Sequence, residues 1–164
     1  MIVTLGRKHG SGGREIGQRL ARRLDIPCYD ADVCSGERDS DRKAIQAMAD
    51  RGSCVIVGCC ADYILAGTEG LIRVFIHSDM AHRIRRIAEK HGITPAEAER
   101  EALRWDRERA RLYGCCTRGK WADLSRYDLA VDSGALGISG TVELLNQFVA
   151  LKVMRRRPGG DRHG

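Results

Sequence analysis

Residues 9–17 read HGSGGREIG, and this stretch decides how the rest of the chain is interpreted. A short apolar run at residues 2–5 precedes it, and a segment with isoleucine or leucine at every fourth position follows it. The order is therefore strand, glycine-rich loop and helix. Gly10, Gly12 and Gly13 allow left-handed backbone angles and close approach of an anion, and the amides of a helix start are free to bind one. The stretch predicts a phosphate-binding loop, with a plain tight turn as the alternative.

The loop lacks the lysine that phosphate-binding loops normally carry. Such loops place Gly-Lys-Ser/Thr just before the helix, whereas the corresponding residues here are Gly12, Gly13 and Arg14. In phosphoryl transfer the lysine neutralises the β- and γ-phosphates and the hydroxyl holds magnesium. We therefore expect main-chain amides to hold phosphate while cations from other positions supply the charge. The predicted phosphate-binding residues are Lys8, His9, Gly10, Ser11, Gly12, Gly13, Arg14 and Glu15.

The composition is that of one globular domain of ordinary size. The chain has 164 residues, of which 43% are hydrophobic and 30% are charged. No apolar run approaches the roughly 20 residues that a membrane-spanning helix needs, and the start of the chain lacks the pattern of a secretory signal. Seven cysteines without a C-x-x-C pattern are expected to be reduced thiols rather than zinc ligands. We expect a cytoplasmic location, no membrane contact and no metal held by protein side chains.

The charge balance points to anionic ligands. The formal net charge is +6, which suits nucleotides and phosphates. A nucleic-acid-binding domain would have the same sign of charge, but no recognised nucleic-acid motif is present. A further alternative is that many arginines only form solvated helix faces. Small nucleotide ligands are therefore predicted as partners, nucleic acid is not, and a homodimer is left open.

Strands and helices alternate along the chain. Apolar, β-branched runs predict strands at residues 2–5, 26–29, 54–57, 72–76 and 127–131. Apolar spacing and cap residues predict helices at residues 13–24, 41–51, 61–65, 79–91, 94–113 and 138–154. The alternation predicts a three-layer α/β/α fold with a doubly wound parallel sheet of about five strands. We expect residues 1–154 to form one domain and residues 155–164 to form a basic, disordered tail.

Four segments carry a resemblance to a known family. The opening GSGGREIGQRLARRLDIPCYD (residues 10–30) resembles that of the cytidylate kinase-like family, a branch of the P-loop nucleoside-monophosphate kinases. SCVIVGCCADYIL (53–65) resembles its third-strand motif, and RVFIHSDMAHRIRRIAEKHGIT (73–94) resembles its fourth strand and following helix. DRERARLYGCCTRGKWADLSRYDLAVDSGALGI (106–138) resembles its lid region and fifth strand. The resemblance covers the chain to about residue 150.

The resemblance implies a P-loop kinase fold and ATP-dependent phosphoryl transfer to a nucleoside monophosphate, with magnesium. It places a lid at about residues 92–126, in which Asp106, Arg109 and Tyr113 carry the lid pattern. An ordinary surface ion pair is the alternative for Asp106 and Arg109. Arginines near the lid would clamp the transferring phosphoryl group as positioned cations, namely Arg83, Arg86, Arg107 and Arg109. The predicted catalytic residues are Arg14, Asp106, Arg107 and Arg109.

The acceptor side departs from the family pattern. Cys59 stands where the third-strand motif usually has an arginine, and only about ten residues, 31–40, stand where such kinases insert an acceptor-binding subdomain. The predicted acceptor-binding residues are Asp30, Arg38 and Asp62, although Asp62 at a helix start is equally explained by the helix dipole. These departures leave open a second hypothesis, a catalytically degenerate protein that binds or senses nucleotides.

Overall fold

A computed structural model describes residues 1–31, 38–117 and 119–156. The strands of these residues are β1 (Ile2–Arg7), β2 (Cys28–Asp30), β3 (Cys54–Val57), β4 (Leu71–His77) and β5 (Leu129–Asp132). The α-helices are α1 (Gly13–Leu24), α2 (Arg38–Asp50), α3 (Ala61–Ile64), α4 (Met80–His91), α5 (Pro95–Thr117) and α6 (Ser133–Arg156). A short 3-10 helix, Leu124–Arg126, precedes β5.

The strands form one parallel sheet in the order β2-β3-β1-β4-β5. Side chains of β1 alternate between two cores because successive residues of a strand point to opposite faces. Val3 and Leu5 pack with residues of α1 and α6, whereas Ile2 packs with residues of α2 and α3. Helices therefore cover both faces of the sheet, and the predicted three-layer α/β/α fold is confirmed.

The strand order fixes where a ligand can bind. β1 lies between β3 and β4. The chain runs from β1 towards β2 at one edge of the sheet, whereas the connection from β3 crosses to β4 on the other side of β1. In open parallel sheets such a reversal opens a crevice beyond the carboxyl ends of the strands. The glycine loop follows β1 directly, so it lies at this crevice.

Several element boundaries differ from the sequence prediction. β1 continues through Gly6 and Arg7, because these residues pair with Phe75 and Ile76 of β4. α5 continues past Tyr113 to Thr117, since burial of these side chains outweighs the weak helix propensity of the glycine between them.

α6 begins at Ser133, five residues before the predicted start. Its first turn is capped by Asp132, whose Oδ1 accepts the Gly134 amide at 2.8 Å. Gly137 (φ 67, ψ 173) then interrupts the helical backbone. β2 is shorter than predicted and begins at Cys28.

Parts of two predicted segments lie outside the described residues. The predicted turn at 31–40 is described only at residue 31 and from residue 38, where α2 begins. The predicted tail at 155–164 is described only as far as residue 156, the last residue of α6. No helix in the described ranges is long and apolar enough to cross a membrane.

Candidate active site

Two glycines in the left-handed region turn the loop between β1 and α1. Gly10 has φ 81° and Gly12 has φ 82°. A Cβ on Gly12 would lie 2.4 Å from Cδ1 of Ile138, and a Cβ on Gly10 would lie 2.7 Å from Cδ1 of Ile87. Both the backbone angle and the space therefore require glycine at these positions.

The loop carbonyls are held by the surrounding protein. The Lys8 carbonyl accepts the Ser11 amide at 3.2 Å and the Ser11 hydroxyl at 2.7 Å. The Ser11 carbonyl accepts the hydroxyl of Ser133 at 2.6 Å. The His9 carbonyl accepts Nη1 of Arg83 at 3.1 Å. These bonds fix the loop and engage carbonyl dipoles that would otherwise repel an anion.

Most of the loop amides are open. The His9 amide donates to Oδ1 of Asp106 at 2.9 Å, and the Ser11 amide donates within the loop. The amides of His9 and Ser11 are therefore not available to an anion. All the residues whose amides are open line one cavity of about 300 Å³. In the part of the chain that the structure describes, the amides without an acceptor are those of Gly10, Gly12, Gly13, Arg14 and Glu15.

The cavity is rich in cations. Glu15 is paired with Arg86 and, at 2.6 Å, with Arg19. Glu101 is paired with His9 at 2.7 Å and with His91 at 3.1 Å. The carboxylates in the wall are therefore already engaged, which leaves a positive balance for an anionic ligand. The basic residues that line the cavity are Arg7, Lys8, Arg14, Arg86, Lys90 and Arg109.

Comparisons with known proteins identify the family of the chain. The model of the cytidylate kinase-like family matches residues 2–37 and 35–135. The chain belongs to the cytidylate kinase-like family. A cytidylate kinase from Halobacterium salinarum is 26% identical over 146 residues, covering 86% of this chain and 75% of that protein. The expected family is thus confirmed, and membership supports a small-molecule kinase.

Solved structures show the same fold. A crystal structure of an uncharacterized protein from Eubacterium ventriosum matches with a TM-score of 0.84 at 25% identity, covering 92% of this chain and 98% of that one. A shikimate kinase from Bacteroides thetaiotaomicron matches with a TM-score of 0.63 at 16% identity over the same shares of the two chains. The second likeness concerns the fold alone, which is that of the P-loop kinases.

Two cations predicted for the loop of this cytidylate kinase-like protein are held by carboxylates. Nζ of Lys8 lies 3.7 Å from Oδ2 of Asp106 and 4.4 Å from the ring centre of Trp121. The guanidinium of Arg14 forms an ion pair with Asp30 and is more than half exposed. The predicted acceptor residue Asp30 therefore lies against a residue of the phosphate loop.

His9 is uncharged at neutral pH. Burial lowers the pKa of His9 below its usual range, Arg109 lowers it further, and the hydrogen bond to Glu101 opposes both. Burial acts to raise the pKa of Glu101, but hydrogen bonds from His9 and His91 outweigh it and the net pKa is lowered. The His9 ring also stacks on Trp105, with centroids 5.8 Å apart. We therefore interpret His9 as a structural support of the loop rather than a cation for phosphate.

The predicted catalytic residues on α5 face in different directions. Arg109 is buried and lines the cavity. Asp106 is buried beneath the loop, where Oδ2 lies 2.6 Å from Nη1 of Arg83. Arg107 is exposed and lies in an outer surface groove with Trp105 and Arg111, away from the cavity. Neighbouring helix positions differ by about 100° around the axis, which separates Arg107 from Asp106.

The predicted site residues leave out two residues that the structure brings to the loop. Arg7 is buried at the end of β1 and lines the cavity. Its signal was the alternation that places residue 7 on the same face as Val3 and Leu5. Ser133 holds the loop from the end of β5, and no local pattern could reveal a contact with Ser11, 122 residues away.

Asp62, one of the predicted acceptor residues, belongs to a buried polar cluster near the end of β3. Oδ2 of Asp62 accepts the hydroxyl of Tyr113 at 2.9 Å. Burial raises the pKa of Asp62 above its usual range, against the opposing effects of Tyr113 and Arg126. The guanidinium of Arg126 lies 5.8 Å from the ring centre of Tyr63 and 5.7 Å from that of Tyr113.

Two further acceptor-side predictions have different outcomes. Cys59 is buried, with Sγ 3.5 Å from that of Cys60, so position 59 presents a small buried thiol. The side chain of Arg38 lies outside the described residues. The acceptor role of Asp30, Arg38 and Asp62 therefore stays a prediction.

The described residues do not form a ready-made metal centre. No group of three histidine, cysteine or carboxylate side chains is placed to hold an ion in these ranges. Arg14 stands at the position of the magnesium-binding hydroxyl, and the Ser11 hydroxyl already donates to the carbonyls of Lys8 and Ile76. This donor set does not fit a resident metal ion.

Proposed function

We propose that the protein is an ATP-dependent phosphotransferase that phosphorylates a nucleoside monophosphate or a similar small acceptor. The observation that carries the proposal is the set of open amides at Gly10 and from Gly12 to Glu15, which lie at a cation-rich cavity at the end of β1. Backbone amides at a helix start form a site for phosphate without any side chain. Family membership supports the same class of reaction.

The transfer is a displacement at the terminal phosphorus. A bond forms between an acceptor oxygen and Pγ while the bond from Pγ to the oxygen bridging to Pβ breaks. ADP leaves with the electron pair. The protein's contribution is to position the reactants and to stabilise the charge on the transferring group. Arg109, buried in the cavity wall on α5, is suited to the second task.

The cavity favours an acceptor that is already anionic. A phosphate monoester oxygen loses its proton near pH 6 and needs no general base at neutral pH. An alcohol acceptor needs a base within hydrogen-bond reach. The carboxylates in the cavity wall, Glu15 and Glu101, are each held by two basic side chains. A nucleoside monophosphate is therefore favoured over a sugar or a cyclic polyol.

Magnesium enters the proposal with ATP. Bound to the phosphate oxygens, it neutralises part of their charge. Because the described residues offer no metal centre, the protein side chains are assigned no part in holding the ion.

The second candidate is a nucleotide-binding protein without useful turnover. It is favoured by Arg14 at the position of the metal-binding hydroxyl and by its ion pair with Asp30. It is also favoured by the buried thiol at Cys59. This candidate shares the nucleotide site and differs only in the chemical step.

Two measurements test the proposal. Millimolar magnesium-ATP should raise the melting temperature, because a ligand that binds the native state stabilises it. ATP consumption is then measured with CMP, UMP, AMP, GMP, shikimate and gluconate as acceptors. Turnover that rises with one monophosphate supports the enzyme, whereas binding without turnover supports the second candidate. No thermal shift with any nucleotide would overturn both.

A matched pair of arginine variants separates specific from general effects. Arg109 and Arg111 lie on the same helix, but Arg111 is exposed and paired with Glu108 at 2.7 Å. Arg109→Ala should lower turnover strongly while the protein stays folded, and Arg111→Ala should leave turnover unchanged. Equal losses in the two variants would argue against a role for the cavity.

A further inference from the structure

We propose that Arg7 takes the place of the absent lysine and supplies positive charge to the β- and γ-phosphates of a bound nucleoside triphosphate. This inference rests on the proposed function and names a residue for it. In P-loop enzymes the corresponding charge comes from the lysine at the start of the helix. Here that position is Gly13, the first residue of α1.

The first support is the placement of Arg7. It is the last residue of β1 and pairs with Ile76, so it stands where the strand meets the loop. Its exposed fraction is 4%, and it lines the cavity together with the loop glycines. A guanidinium keeps its charge even when buried, whereas an ammonium in the same surroundings readily loses it.

The second support is the space at Gly13. A Cβ on this residue would lie 2.7 Å from Cβ and Cγ of Arg7 and 3.3 Å from Cδ. Gly13 has no positive φ, so its backbone does not require glycine. The stem of Arg7 fills the direction in which a side chain at position 13 would leave the helix. An arginine at position 7 and a lysine at position 13 therefore exclude each other.

The third support comes from the cations proposed from the sequence alone. Lys8 is held near Asp106 at 3.7 Å, Arg14 is paired with Asp30, and His9 is kept neutral by burial. Two of these residues are thus already paired with carboxylates, and burial disfavours the charged form of the third. Arg7 reaches the cavity from β1, the element to which the loop is attached.

The test uses four variants of the full chain. Arg7→Met keeps the stem without the charge, and Arg7→Lys restores a weaker-binding cation. Gly13→Lys should lower the melting temperature because the new side chain meets the Arg7 stem. The double variant Arg7→Gly/Gly13→Lys removes this collision, including the contact with Cβ of residue 7, and rebuilds the usual loop. Arg111→Met, an exposed arginine far from the loop, is the control.

Binding of ATP, ADP and AMP is measured by calorimetry at fixed magnesium. Arg7→Met should weaken ATP binding about tenfold or more, since hydrogen bonds to charged groups contribute on that scale. AMP, which lacks the outer phosphates, should change little. The double variant should bind ATP more tightly than Arg7→Met and melt higher than Gly13→Lys. Arg111→Met should behave as the wild type.

The outcomes distinguish this inference from the proposed function. If the wild type binds no nucleotide, the proposed function fails and the role of Arg7 fails with it. If the wild type binds ATP and Arg7→Met binds it equally well, only the role of Arg7 is overturned. If Arg7→Met does not fold, the double variant decides: ATP binding supports the exchange of residues, and a folded double variant without ATP binding refutes it.

Discussion

Nη1 of Arg83 and Oδ2 of Asp106 lie 2.6 Å apart, and both residues also form hydrogen bonds with the main chain of His9. Arg83 donates to the His9 carbonyl at 3.1 Å, and Asp106 accepts the His9 amide at 2.9 Å. Arg83 belongs to α4 and Asp106 to α5. One buried ion pair therefore ties these two helices to the loop, so the loop conformation depends on how α4 and α5 pack against it.

Asp106→Asn tests the strength of this connection. The amide still accepts from His9, but Arg83 is left as a buried charge without its ion-pair partner. We expect the free energy of unfolding to fall by about 3 kcal/mol, the scale of a broken buried pair. Urea denaturation measures the change. Glu108→Gln makes the same change from carboxylate to amide at an exposed ion pair on α5, and it should leave the free energy of unfolding unchanged. Equal effects of the two substitutions would show that the Arg83–Asp106 pair is not special.

Gly12→Ala tests whether the loop tolerates a side chain. Gly12 and Gly67 have φ 82° and φ 87°, so alanine pays a similar backbone cost at both. A Cβ on Gly12 meets Ile138 at 2.4 Å, whereas a Cβ on Gly67 meets nothing within 4 Å. Gly67→Ala should cost about 1–2 kcal/mol, and Gly12→Ala at least about 1 kcal/mol more. Thermal unfolding of the two variants compares them directly, and equal losses would contradict the tight contact with Ile138.

Asp62→Asn should become more stable relative to the wild type as the pH rises from about 4 towards 7. The pKa of Asp62 is raised in the folded protein by burial, while the unfolded chain ionises near its usual value of about 3.9. Between these two pKa values the folded state holds more protons, so wild-type stability falls as the pH rises. Asparagine does not titrate and can still accept the Tyr113 hydroxyl. Melting curves at several pH values measure the melting temperature of the variant minus that of the wild type. A decrease of this difference with rising pH would refute the burial effect.

Glu101→Gln should lower the pKa of His9 further. The Glu101 carboxylate raises this pKa by its hydrogen bond and by its charge, and the hydrogen bond is the largest effect that opposes burial. Removing the charge leaves burial and Arg109 less opposed. Histidine ring signals followed by NMR during a pH titration give the value, with His9→Gln identifying the signal. An unchanged or higher pKa would mean that the carboxylate does not act on the His9 ring.

The fold was accessible from the sequence because its signals are local. Alternation of apolar runs with amphipathic segments predicted the parallel sheet between helix layers, and the element boundaries were wrong mainly by a few residues. The larger error concerned the start of α6. Asp132 caps its first turn, but the glycines at positions 134 and 137 are poor helix formers, so the sequence did not indicate a helix there. A cap depends on hydrogen-bond geometry, which spacing alone does not contain.

The candidate site was accessible only in part. The left-handed backbone angles at positions 10 and 12 could be predicted, because glycine is the residue type that adopts them readily. The sequence does not indicate which arginines face the cavity. Arg107 and Arg109 are indistinguishable as sequence, yet one lines the outer surface of α5 and the other the cavity.

The sequence by itself determined the strand, loop and helix order, the left-handed glycines and the missing lysine, because each depends on one residue type or on short-range periodicity. Only the tertiary structure decided which charges meet. The contact between His9 and Asp106 joins residues 97 positions apart, and its existence depends on how α5 packs over the loop. The energy of an ion pair depends on the distance between the two charged groups, and the packing of the whole domain sets that distance.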